Sequence, residues 1–126
     1  MQITPNFSRV EFDCKDGTKV PAEYMDNLKR LCKNLEVLRE YVKKPVNISG
    51  SGYRTPEHNE KVGGAARSLH LTAKAADISV EGCSGKALYN IIEQLIKTGR
   101  MEQGGLGMYK GWVHYDIRGN RARWRG

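Results

Sequence analysis

Met25, Leu28, Leu31, Leu35 and Leu38 recur at spacings of three and four and fall on one side of a helical period. That period predicts an amphipathic helix from about Pro21 to Val42 with its apolar stripe turned to the core. Pro21 suits a first turn, and Lys43-Lys44-Pro45 suits the far end, where cations meet the helix dipole and proline blocks a further turn. The period shortens to two in Val46-Asn47-Ile48-Ser49, a short strand. Thr55-Pro56 reads as the cap and first turn of a brief helix that stops at Gly63-Gly64. Ala75 to Val80 reads as a buried strand. Ser84 caps a helix carrying Ile91, Ile92, Leu95 and Ile96, and Gly99 ends it. Leu106 to Tyr109 and Trp112 to Ile117 flank Lys110-Gly111 and predict a hairpin. Together these elements predict an α+β fold, a small antiparallel sheet with flanking helices.

A chain of 126 residues, 39% hydrophobic, has material for one core, so a single domain spanning 1–126 is expected. No apolar run approaches the roughly 20 residues that cross a bilayer. The opening Met1-Gln2-Ile3-Thr4-Pro5 lacks the basic and then apolar pattern of a secretory leader, so the chain is expected to be cytoplasmic as synthesised. Cys14, Cys32 and Cys83 are odd in number and widely spaced, which argues for reduced thiols and shows no Cys-x-x-Cys zinc pair. The formal charge of +7 is uneven: Arg118, Arg121, Arg123 and Arg125 crowd the end and read as a solvated arginine-rich tail from about 118. That tail could meet an anionic polymer. With Trp124 among its arginines it also admits nucleic-acid binding, although no nucleic-acid motif lies on any element. A monomer is expected.

Three residues bring chemistry into the picture. His70 lies in the loop entering the strand that carries Asp77, and His114 lies on the last hairpin strand, so adjacent strands could bring all three together. Two imidazoles and a carboxylate hold one zinc ion with a fourth position left to water, the arrangement of a hydrolase rather than of a structural site. On spacing alone the same residues fit hydrogen-bonded histidines and a turn-capping aspartate. The strand period places Trp112, His114 and Asp116 on one face and Val113 and Tyr115 on the other. Asp116 could then take a proton from water or orient a ligand or the substrate. His58, inside the short helix after Pro56, is expected at the surface.

The run Ser51-Gly52-Tyr53-Arg54-Thr55-Pro56, with Asn59, Val62-Gly63-Gly64, Ser68-Leu69-His70 and Ala75-Ala76-Asp77, resembles the zinc D-alanyl-D-alanine peptidases. These share a fold with the hedgehog signalling domain. Asn6-Phe7-Ser8 and Glu11-Phe12 before a leucine-rich helix are similar to the small single-domain branch of bacteria and their phages, so the resemblance covers all but the arginine-rich end. It implies His70, Asp77 and His114 as zinc ligands, and Arg54 and Ser68 as groups that hold a substrate carboxylate or peptide oxygen. Arg54 could instead fix the Gly52-Tyr53 turn by a salt bridge, and Ser68 could cap the loop before His70.

One departure stands out. Many members carry a glutamate general base three residues before the last histidine ligand, where this chain has Gly111. Tyr109 is too weak a base near neutral pH, which leaves Asp116 as the expected catalytic group, taking the proton of water and passing it to the departing amine. The resemblance implies hydrolysis of D-amino-acid-containing peptides of bacterial peptidoglycan, by carboxypeptidase or endopeptidase action. The substrate implies work at the cell wall, after phage-type release or removal of a leader. The alternative the missing glutamate allows is an inactive wall-binding or structural domain of the same fold.

Overall fold

The structure, a computed structural model, describes residues 1–126. The apolar stripe forms helix α1, Met25–Val42, preceded by a 3-10 turn at Ala22–Tyr24 that begins after Pro21. Its end is closed by Lys43 in the left-handed conformation at φ 57°, a position glycine usually takes. The strands from β3 on are β3 (Asn47–Ile48), β4 (Ala75–Ser79), β5 (Gly105–Met108), β6 (Val113–Asp116) and β7 (Ala122–Arg125). Helices α2 (Pro56–Lys61) and α3 (Gly85–Lys97) are capped by the side chains of Thr55 and Ser84, as the sequence predicts. No helix is long and apolar enough to cross a membrane.

The sheet runs β3-β4-β6-β5-β7, antiparallel except where β7 lies parallel to β5. Its core face carries Ala76, Ile78, Leu106, Val113 and Tyr115, which share one hydrophobic cluster with Leu28, Leu31, Leu35 and Leu38 of α1 and Leu88, Ile92 and Leu95 of α3. The alternate residues Asp77, His114 and Asp116 therefore occupy the opposite face. Two strands of the first residues, β1 (Gln2–Thr4) and β2 (Phe7–Ser8), make a separate hairpin that the sequence pattern does not reveal. Segments of two or three residues are too short for alternation to register.

The N-terminal segment also supports the chain around residue 52. Tyr53 N–H donates to the Phe12 carbonyl at 2.7 Å. A Cβ on Gly52 would stand 2.7 Å from Phe12 Cα, so only glycine permits that approach.

The arginine-rich end is not the solvated tail expected from about 118. It is the edge strand β7, held by Arg123, which donates to Glu93 and Gln103 at 2.8 Å each and to the Gly104 carbonyl. Arg121 also pairs with Glu93, so two of the arginines that read as polyanion contacts share one carboxylate within the fold and keep one net positive charge between them. Arg123→Ala is expected to cost about 1–3 kcal/mol, since it strips charged hydrogen bonds from Glu93 and from backbone. Urea unfolding would check this, and a change near zero would restore the solvated-tail reading.

Candidate metal centre

The pairing of β4 with β6 sets Asp77 opposite His114, and β5 and β7 extend the row through Gly107 and Trp124. His70 arrives separately, on a 3-10 turn at Leu69–Thr72. Ser68 caps that turn by accepting from His70 N–H at 3.2 Å, and the His70 carbonyl accepts from Arg54 N–H at 3.0 Å. The three side chains converge: Asp77 Oδ1 lies 3.3 Å from His70 Nε2 and 3.4 Å from His114 Nδ1. All three are buried.

The other nitrogen of each imidazole is committed. His70 Nδ1 lies 2.7 Å from the Gly52 carbonyl, which can only accept, so Nδ1 carries the hydrogen and Nε2 presents its lone pair. His114 Nε2 donates to Asp116 Oδ2 at 2.7 Å, which leaves Nδ1 as the free lone pair. Both free nitrogens are the ones that face Asp77. This orientation by an outer hydrogen bond is what metal-ligating histidines need.

The donor set fits zinc. Metal–ligand bonds of about 2.0–2.1 Å at tetrahedral angles set neighbouring donors about 3.3–3.4 Å apart, which is the spacing from Asp77 Oδ1 to each imidazole. Two nitrogens and one oxygen leave a fourth position towards the cleft, which encloses about 460 Å³ and is lined by all three residues.

The surrounding charges are tightly paired. Burial acts to raise the Asp77 carboxyl, but the adjoining imidazoles of His114 and His70, when they carry a proton towards it, overcome burial and hold the group well below the usual carboxylate range. Burial likewise would raise Asp116, yet bonds from His114 and Arg118 hold it low. His114 is pulled down by burial and raised further by Asp116 and Asp77, so its net shift is upward.

The expected base role of Asp116 does not suit its surroundings. The residue is fully buried behind His114. Its Oδ1 accepts from Gly105 N–H at 2.8 Å and from Arg118 Nε at 2.9 Å, while Oδ2 accepts from His114 and from Arg118 Nη2 at 2.8 Å. No lone pair is left to receive a proton from water in the cleft. Its contacts are those of an orienting group.

Arg54 and Ser68 both line the cleft. Arg54 is also anchored, donating to Ser51 Oγ at 2.8 Å and Asn59 Oδ1 at 3.2 Å, with Nη2 3.7 Å from Asp77 Oδ2. Its salt bridge and its place in the cleft therefore coexist. His58 stands apart from these ligands.

Sequence reasoning missed the aromatic wall. Tyr109 and Trp112 stack at 3.9 Å, Trp124 N–H donates to Tyr109 Oη at 3.0 Å, and the Trp124 ring packs 5.0 Å from that of His114. Arg118 lies 5.5 Å from the Trp124 ring centroid. It also missed why Gly105-Leu106-Gly107 is glycine-rich. A Cβ on Gly105 would stand 2.2 Å from Asp116 Oδ2, and one on Gly107 would stand 2.3 Å from Trp124 Nε1. Two glycines on the site face of a strand were the available signal.

A family profile described as Peptidase M15 matches residues 5–116. No curated protein gave a match.

Gly107→Ala is expected to displace Trp124 from His114 and cost about 1–3 kcal/mol. Gly111→Ala, with open space around its Cβ, is expected to be close to neutral. Near-ultraviolet circular dichroism and urea unfolding of the two variants would check this, and equal behaviour would contradict the packing described.

Proposed function

Because the chain belongs to the Peptidase M15 family, we propose that it is a zinc-dependent peptidase that hydrolyses D-amino-acid-containing peptides of bacterial peptidoglycan. One zinc ion is held by His70, Asp77 and His114. The observation that carries this reading is the single Asp77 oxygen at tetrahedral-edge distance from two imidazole nitrogens whose tautomers are fixed from behind.

Zinc bound there would polarise a peptide carbonyl and make water acidic enough to attack it near neutral pH. The protein's own groups do the rest. Asp116 holds His114 in the tautomer that presents Nδ1, and the Gly52 carbonyl holds His70 in the tautomer that presents Nε2. Asp77 is the only carboxylate among the residues lining the cleft, and it serves as a ligand. No separate carboxylate base is used, and Asp116 acts through His114. Arg54 keeps unspent donors for a substrate carboxylate, with Arg67 at the rim adding positive charge. Tyr109 accepts the Trp124 N–H, so its own hydroxyl hydrogen is left for a substrate oxygen. The aromatic faces of Tyr109 and Trp112 exclude water from one side.

Zinc analysis on protein purified without chelator tests the site: zinc should be lost from the centre in His70→Ala and Asp77→Ala, together with hydrolysis of D-alanyl-containing wall peptides. Asp116→Asn should keep the fold and lower zinc affinity by about 10–100-fold, since the amide no longer enforces the tautomer. Undiminished zinc affinity in Asp116→Asn with activity abolished would return Asp116 to the role of base. Full zinc binding without turnover of any wall peptide would favour a non-catalytic wall-binding domain.

A further inference from the structure

A second group of metal-ligating side chains lies outside this cleft's ligand set. Cys14, Asp16 and His58 bring a sulfur, a carboxylate oxygen and an imidazole nitrogen within 4.8 Å of one another. Two come from a tight loop and the third from α2, 42 positions further along by the numbering from Asp16. We propose that these three residues form a second zinc-binding site, separate from the one in the cleft, that ties the N-terminal loop to the start of α2.

The loop is built to hold its two donors. Cys14 N–H donates to the Thr18 carbonyl and Gly17 N–H to the Cys14 carbonyl, both at 2.9 Å, and Gly17 takes φ 96° to close the turn. Thr18 N–H holds Asp16 Oδ1 at 2.9 Å. The two halves of the site meet at Thr55, whose hydroxyl donates to Asp16 Oδ2 at 2.9 Å, accepts from His58 N–H at 3.1 Å and lies 4.0 Å from Cys14 Sγ. Thr55 thus sets all three ligand residues around one hydroxyl.

The chemistry selects the metal. A thiolate, a carboxylate and a neutral imidazole offer two negative charges to a divalent cation, and sulfur with nitrogen suits zinc rather than calcium or magnesium. Binding displaces the thiol proton. Cys14 is buried while Asp16 is exposed, so the ion has an open approach on one side and an apolar backing on the other. The site's location gives it a purpose: Phe12, two residues before Cys14, receives Tyr53 N–H, and Gly52 presents the carbonyl that orients His70. Fixing residue 14 to residue 58 clamps that segment from both ends.

The test uses the full chain, fully reduced, loaded with Zn²⁺ and desalted. Two zinc ions per chain are expected, falling to one in Cys14→Ser, in His58→Ala and in the double variant His70→Ala with Asp77→Ala. Co²⁺ provides an independent readout, because only the proposed site contains sulfur. A near-ultraviolet thiolate-to-cobalt band should appear in the parent and in the double variant and vanish in Cys14→Ser. Cys32 lies fully buried on α1, away from the three residues of this site. One zinc in the parent that disappears in the double variant, no cobalt–thiolate band, or a band that survives Cys14→Ser would each overturn the proposal. His58→Ala guards against a folding failure in Cys14→Ser, and two zinc ions retained in a folded His58→Ala protein would also overturn it. Failure of the peptidase reading shows differently: the double variant's single zinc and its band persist, but the zinc-loaded parent cuts no wall peptide.

Discussion

Asp77 meets His114 because β4 and β6 pair in one register, and the cleft is organised around that pairing. Strand side chains alternate, so a slip of one residue would turn His114 into the core and bring Tyr115 out. The core holds the register in place. Val113 and Tyr115 are fully buried on the far face, and the Tyr115 hydroxyl donates to the Glu102 carbonyl at 2.8 Å. A polar bond inside an apolar layer is costly to misplace, so packing on one face fixes chemistry on the other.

The site face carries an unusual density of buried charge for so small a protein. Asp77, Asp116 and His114 sit below the surface with Arg54 and Arg118 pressed against them. Such groups add little stability over apolar packing, because the water they lose was worth several kcal/mol to each ion. What they supply is a single arrangement: each carboxylate oxygen has defined donors and each imidazole a defined hydrogen. The glycine carbonyl behind His70 and the carboxylate behind His114 perform the same task with different chemistry.

Much of this was legible before any coordinates, and the reasons differ by element. The α1 stripe and the Thr55 and Ser84 caps are local signals, visible because helix period and cap chemistry operate within a few residues. His70, Asp77 and His114 were found by residue type and by resemblance, and pairing of β4 with β6 places two of them opposite each other. Asp116 was ambiguous because a carboxylate two residues from a histidine fits either of two roles, and only Arg118 and Gly105 in space show that its oxygens are taken. Strand β7 was hidden because Ala122-Arg123-Trp124-Arg125 carries its charge on alternate residues, one of which, Arg123, folds back onto Glu93. His58 was expected at the surface and is partly exposed there, on α2.

The glycines of β5 lead to a different kind of conclusion. Gly105 and Gly107 give the floor of the cleft no side chain of its own, and the room they leave is already filled by Asp116 and by the indole of Trp124. The depth of the cleft is therefore a fixed quantity, set by backbone. Room for a longer or bulkier substrate is set at the rim by the exposed Val62, Ala65 and Arg67, while Gly64 between them is fixed, since a Cβ there would meet Asn59 Oδ1 and Arg54 Nη1. The cleft is thus closed below by packed backbone and open only along its border.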